Sequence, residues 1–176
     1  SSFSLFEFDN KKRSVQYFAV AGGNLEIIQI LSQCNLKFSD YMLLAASFDK
    51  LSILQFMIDE LHCDFRQVDG LGNTLLHSAA IGNSVQTAKW LINSKLINPN
   101  SQDNHILFMS FNGIYLFYLN KTPLHIAVEY GHIDIVRLLL NAPEIELNIT
   151  DVLIFLLKMF IFLFICKVSF IVLHQI

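Results

Sequence analysis

The segment Thr122–Leu140, which reads TPLHIAVEYGHIDIVRLLL, most strongly limits what this chain can fold into. Thr122 can cap a helix through its hydroxyl, and Pro123 follows at the first helical position, where its missing N–H costs nothing. Apolar residues recur at helical spacing on both sides of Gly131, a residue that readily adopts a positive φ. The segment therefore predicts two short helices joined by a tight turn.

Imperfect copies of this segment precede it in the chain. The approximate repeats are residues 14–36, 40–66, 69–101 and 102–150, with Ser14 and Asp40 at the helix-capping positions of the first two. A pair of short helices cannot bury its apolar face alone, so neighbouring pairs must stack around one elongated core. The pattern therefore favours a single all-α repeat domain over residues 14–151, after an N-terminal flank at residues 1–13.

The motifs resemble those of the ankyrin-repeat family. Residues 122–127 match T-P-L-H-x-A, and Asp69–Thr74 matches the family's D-x-x-G-x-T turn. The resemblance implies an all-α solenoid of helix–turn–helix units with short hairpin-like loops. It also implies that His77 and His125 hydrogen-bond the capping threonine and nearby backbone, so we expect structural roles for them. Asp69 and Asp103 are expected to serve the backbone of their turns.

Two apolar segments interrupt the pattern. Thr74 and Thr122 are 48 residues apart, which exceeds the family period by about 15, and the surplus is the run at 105–119, HILFMSFNGIYLFYL. The second segment is the tail at 152–176. Three explanations remain open: translated non-coding sequence from an AT-rich gene, a transmembrane helix in the tail, or a nonstandard cap over the end of the stack. For the second, the 22 residues Val152–Leu173 are enough to span a bilayer core of about 30 Å.

Composition and motifs argue against several function classes. The net charge is −3 and no basic stripe is present, so nucleic acid is not an expected partner. Cys34, Cys63 and Cys166 have neither disulfide-framework nor zinc-ligand spacing, which favours a reducing compartment without a metal site. We find no nucleophile motif and no phosphate-binding loop, so the sequence predicts no catalytic residue, no cofactor and no enzyme activity.

The resemblance places a partner-binding surface on the concave face formed by the first helices and on the loop tips. The residues at those positions are Phe18, Leu44, Ser78, Ile81, Leu71, Asn73, Lys121, Ile126, Glu129 and Tyr130. Phe18, Ile81 and Tyr130 are the strongest anchors, because they are apolar or aromatic at positions that the repeat core does not need. The alternative is that these residues are scattered on the surface or contact the neighbouring repeats.

The sequence therefore predicts a noncatalytic protein–protein interaction module, a monomeric and cytoplasmic scaffold or adaptor with an unidentified protein partner. A second hypothesis is that the repeats are the cytosolic part of a membrane-anchored protein or channel, with residues 152–173 as a membrane span. A third is that they regulate a larger enzyme whose catalytic domain lies outside these residues.

Overall fold

A computed structural model of the chain describes residues 8–104, 106–110, 114–118 and 120–147. The tail at 152–176, with its candidate membrane span, lies outside the described residues. Within the part that is described, no helix is both long enough and apolar enough to cross a bilayer.

Eight α-helices in the described residues form four pairs, each made of a first and a second helix. In chain order the pairs are α1 (Val15–Gly22) with α2 (Leu25–Gln33), α3 (Met42–Ser47) with α4 (Leu51–Asp59), α5 (Leu75–Ile81) with α6 (Val85–Ser94), and α7 (Pro123–Glu129) with α8 (Ile133–Leu140). The expected all-α repeat architecture is confirmed for these residues.

The first helices form a row in which α1 packs on α3, α3 on α5, and α5 on α7. We call this the first-helix row. Each helix places an alanine at the same position, and these alanines are buried: Ala19, Ala45, Ala79 and Ala127. In the second row α2 packs on α4, and α6 packs on α8. Small buried side chains let neighbouring helices approach closely, so the core runs continuously through the stack.

The turn within each helix pair has the same backbone conformation in all four repeats. Gly23, Asp49, Asn83 and Gly131 have φ values of 81°, 54°, 55° and 72°. Asp and Asn adopt this left-handed region more readily than other residues with a side chain. The second repeat therefore makes the same turn although it lacks a glycine there.

Side-chain caps at the first helices follow the sequence prediction in three repeats and depart from it in one. Ser14, Thr74 and Thr122 each accept a hydrogen bond from a backbone N–H in the first turn of their helix. The predicted cap at Asp40 is wrong, because Asp40 lies in a 3₁₀ turn at Ser39–Tyr41. The α3 helix begins only after that turn, and no side chain caps it.

The apolar run at 105–119 contains a feature that the sequence analysis did not predict. Strand β1 (Ile106–Ser110) pairs with strand β2 (Ile114–Tyr118) in an antiparallel ladder, with Ile106 opposite Tyr118. The fourth repeat therefore has a two-stranded hairpin inserted ahead of α7.

The insert begins and ends within one turn. The Asp103 N–H donates to the Lys121 carbonyl at 2.9 Å, and the Lys121 N–H donates to Asp103 Oδ1 at 2.8 Å. The third repeat has the same two bonds, from the Asp69 N–H to the Asn73 carbonyl at 3.3 Å and from the Asn73 N–H to Asp69 Oδ1 at 2.9 Å. Lys121 therefore takes the place of Asn73, and the hairpin extends a turn whose ends remain joined.

Deleting residues 105–119 should leave the helical stack folded, because Asp103 and Lys121 are already hydrogen-bonded to each other. A matched variant replaces residues 104–120 with Gly-Leu-Gly, the three residues of the third repeat's turn. Far-UV circular dichroism and urea unfolding check both variants. Loss of the helical signal in both would show that the insert is part of the core.

Replacing Ala127 with Leu should lower the free energy of unfolding by ~1–3 kcal/mol, because the fully buried alanine leaves no room for a larger side chain. Val128→Leu is the control, since Val128 is 62% exposed, and its effect should stay within about 0.5 kcal/mol. Urea unfolding measures both variants. An unchanged midpoint for Ala127→Leu would contradict the repeat alignment.

Candidate functional site

The ten residues predicted to contact a partner differ in their accessibility. Exposed side chains are those of Phe18, Leu71, Ile81, Glu129 and Tyr130. Leu44 and Lys121 are half-buried. The remaining three are buried, with exposed fractions of 6%, 3% and 4% for Ser78, Asn73 and Ile126. A buried side chain offers little area to a partner, so we leave these three out of the surface proposed below.

A shallow groove of about 610 Å³ lies on the first-helix row, centred on the first two repeats. Phe18 and Phe48, which are 48% and 42% exposed, contribute its aromatic lining. The small residues Ala21, Ser47 and Gly82 also line it. We call this the N-terminal groove. Two exposed aromatic rings in one concavity give it an apolar surface that a side chain of a partner could cover.

Arg13 lies at one end of the N-terminal groove. Its guanidinium lies 4.7 Å from the centre of the Phe18 ring and 5.4 Å from that of Tyr17. Its Nε and Nη2 donate to Asp9 Oδ2 at 2.8 Å and 2.5 Å. These hydrogen bonds lower the pKa of the Asp9 carboxyl. The guanidinium therefore makes a cation–π contact with the exposed Phe18 ring.

Asp49 and Lys50 lie at the other end of the N-terminal groove. Asp49 Oδ1 accepts hydrogen bonds from the N–H and the hydroxyl of Thr87, both at 2.8 Å. Asp49 thus caps α6, whose own cap residue Ser84 makes no side-chain cap bond. A carboxylate at a helix N-terminus is stabilised by the helix dipole. Lys50 forms no salt bridge with any residue in the part of the chain that the structure describes.

Several residues of the N-terminal groove were missed by the sequence analysis. Phe48 occupies the same repeat position as Tyr130, so alignment of the repeats could have found it. Arg13 was assigned to the N-terminal flank, and the sequence gives no signal that it folds back over Phe18. Lys50 directly precedes α4, and no local sequence pattern indicates that it lines a groove.

A second group of predicted residues comes together at the third and fourth repeats. Tyr130 stacks on His132 with ring centres 5.9 Å apart, and His132 Nε2 lies 3.2 Å from the Ile81 carbonyl oxygen. Lys121 Nζ pairs with Glu129 Oε2 at 2.6 Å. We call Ile81, Lys121, Glu129 and Tyr130 the C-terminal cluster. Leu71 is 42% exposed, and its carbonyl accepts a hydrogen bond from the Asn104 N–H at 2.6 Å.

The two histidines of the repeat motif have the structural role expected from the sequence. His77 Nδ1 lies 3.2 Å from the Thr74 nitrogen and accepts its N–H, so the ring proton is on Nε2. His77 Nε2 then donates to the Lys121 carbonyl at 3.0 Å, a link to the next repeat that was not predicted. His125 Nδ1 accepts from the Thr122 N–H at 3.1 Å in the same way.

These features define a class of protein, a solenoid of stacked helix–turn–helix repeats with a threonine–histidine cap at its most regular first helices. The family model described as ankyrin repeats, with three copies, matches residues 42–151. The match covers more than half of the 176 residues, and the chain belongs to the ankyrin-repeat family. The pair α1 and α2 precedes the matched residues. Ankyrin repeats are generally protein–protein interaction modules and are typically noncatalytic.

Acidification should destabilise the protein through His77. Burial lowers the pKa of His77 below its ordinary value of 6.5, so the unfolded chain binds a proton more readily than the folded chain. The contribution of His77 is therefore complete above about pH 6.5 and is lost as the pH falls below that value. His77→Gln keeps a capping-box side chain that does not titrate.

Urea unfolding of the wild type and of His77→Gln between about pH 7.5 and about pH 5 tests this prediction. The wild type should lose more of its free energy of unfolding than the variant does. An equal loss in both proteins would contradict it.

Proposed function

We propose that this chain is a noncatalytic interaction module that binds a partner protein along its first-helix row. One observation carries the proposal: each of the four repeats presents a large exposed apolar side chain on this row. These side chains are Phe18, Phe48, Ile81 and Tyr130, with exposed fractions of 48%, 42%, 37% and 58%. Aromatic and large apolar residues of this kind provide most of the binding energy in protein interfaces.

The scaffold under these side chains favours binding. Each exposed residue lies on or directly after a first helix whose opposite face belongs to the buried core. The backbone is therefore ordered before a partner arrives, and association does not have to supply the conformational entropy of ordering it. A row of exposed apolar side chains on an ordered backbone suits a partner with an extended contact surface.

Other parts of the proposal have separate support. The noncatalytic part is supported by the family, because ankyrin repeats are typically noncatalytic. Cys34 and Cys63 are free thiols, which fits a monomer in the reducing cytoplasm. The membrane-anchored alternative depends on residues 152–173, and the enzyme-linked alternative depends on sequence outside this chain.

Capture of partners from cell extract by the tagged chain tests the proposal. The double variant Ile81→Asp, Tyr130→Asp places two charges on exposed positions of the C-terminal cluster. It should reduce the yield of specifically captured proteins by at least about tenfold, because charged groups replace the anchors. Circular dichroism checks that the variant remains folded.

The matched control is Ser52→Asp, Lys89→Asp, which changes two exposed residues on the second helices α4 and α6. It should capture the same proteins as the wild type. Equal capture by the wild type, by the first-helix double variant and by a second double variant, Phe18→Asp, Phe48→Asp, would overturn the proposed surface.

A further inference from the structure

The N-terminal groove joins an apolar lining to a local excess of positive charge. Its aromatic residues Phe18 and Phe48 are each close to half exposed, although phenylalanine is normally buried. Its two cationic residues, Arg13 and Lys50, come from different repeats. This combination differs from that of the C-terminal cluster, where Lys121 is already paired with Glu129.

The acidic groups near the N-terminal groove are already engaged. Asp9 accepts two hydrogen bonds from the Arg13 guanidinium, and Asp49 caps α6 through Thr87. Lys50 has no carboxylate partner among the described residues, and Lys11 and Lys12 are exposed next to Arg13. The groove lining holds two cations, Arg13 and Lys50, and one carboxylate, Asp49, a local excess of +1. The whole chain has the opposite sign, −3.

The Lys50 side chain extends toward the first repeat. A Cβ placed on Gly23 would lie 2.8 Å from Lys50 Nζ, so the ammonium lies against the turn between α1 and α2. Lys50 therefore bridges the first two repeats beside the groove that Phe18 and Phe48 line. If an acidic side chain of a partner bound Lys50, a neighbouring side chain of that partner could reach the Phe18 and Phe48 rings.

On the basis of the proposed function, we infer that the N-terminal groove binds an acidic peptide segment of a partner protein. An Asp or Glu of that segment pairs with Lys50, and an adjacent aromatic or long aliphatic side chain covers Phe18 and Phe48. Charge complementarity of this kind selects partners and speeds their association.

Other occupants fit the N-terminal groove less well. A basic segment would place like charges against Arg13 and Lys50. A purely apolar segment would remove water from the Lys50 ammonium without replacing its hydrogen bonds, which is costly. Nucleic acid needs a broader basic surface than the two cations of the groove lining provide.

Selection from a display library of random 12-residue peptides on the immobilised 176-residue chain tests the inference. The enriched peptides should carry Asp or Glu beside Phe, Tyr, Trp, Leu or Ile. One enriched peptide, labelled with a fluorophore, is then titrated by fluorescence polarisation. Its affinity should fall as the salt concentration rises, because a charge pair contributes to binding.

Variants of the groove provide the decisive comparison. Lys50→Glu should weaken binding of the peptide by at least about tenfold, whereas Lys50→Arg should bind it nearly as well as the wild type. A peptide whose acidic residue is changed to Lys should recover affinity for Lys50→Glu. Phe18→Ala should weaken binding without unfolding the protein, since Phe18 is 48% exposed. Glu at the cap position of α4 is compatible with the helix dipole, so Lys50→Glu is expected to fold.

The outcomes separate this inference from the proposed function. Enriched peptides without an acidic residue, or peptides that bind Lys50→Glu and Phe18→Ala as tightly as they bind the wild type, overturn the inference. If such peptides lose binding to Ile81→Asp, Tyr130→Asp instead, the interaction function stands at the C-terminal cluster. Absence of any enriched peptide overturns the acidic-peptide inference, and the proposed function also fails if the capture experiment finds no partner lost from either first-helix double variant.

Discussion

Close packing between successive first helices is the contact on which the rest of this structure depends. The helices have only 6 to 10 residues, too short to be stable alone in water. Buried alanines such as Ala45 and Ala79 let them approach, and a Cβ on Gly82 would overlap the carbonyl of Ser47. Each helix pair is therefore folded because its neighbour is folded, and stability belongs to the stack rather than to any one repeat.

Polar side chains also join the same junctions, and they do so without using the side chains of the proposed binding surface. Ser14 bonds to Tyr41, Thr87 to Asp49 and His77 to the Lys121 carbonyl, so each junction between repeats has at least one such hydrogen bond. The aromatic residues on the first-helix row take part in none of these bonds. A substitution on the exposed row therefore leaves the hydrogen bonds at the junctions in place.

Burial at equivalent positions depends on the neighbouring repeat more than on the residue itself. Val20, Ala46 and Ala80 are fully buried, whereas Val128 at the same position is 62% exposed. Ile27 is 46% exposed, although Ile53 and Ile135 at its position are fully buried. Sequence analysis assigned the repeat positions well but treated them as alike. The sequence did not predict these differences in exposure, because they depend on which residues pack beside the first and fourth helix pairs.

The helix pairs, the turn positions and the threonine–histidine caps could be predicted from the sequence, because each depends on residues a few positions apart. The insert could be located because the separation of Thr74 and Thr122 exceeds the repeat period by about 15 residues. The accessibility of the predicted surface residues depends instead on how the repeats stack, which buries Ser78 and Ile126 and exposes Phe48. The tertiary structure also brought Asp49 to the start of α6, 38 residues from Thr87, and folded Arg13 over Phe18. Such contacts depend on the distance between stacked repeats, and no local sequence pattern indicates that distance.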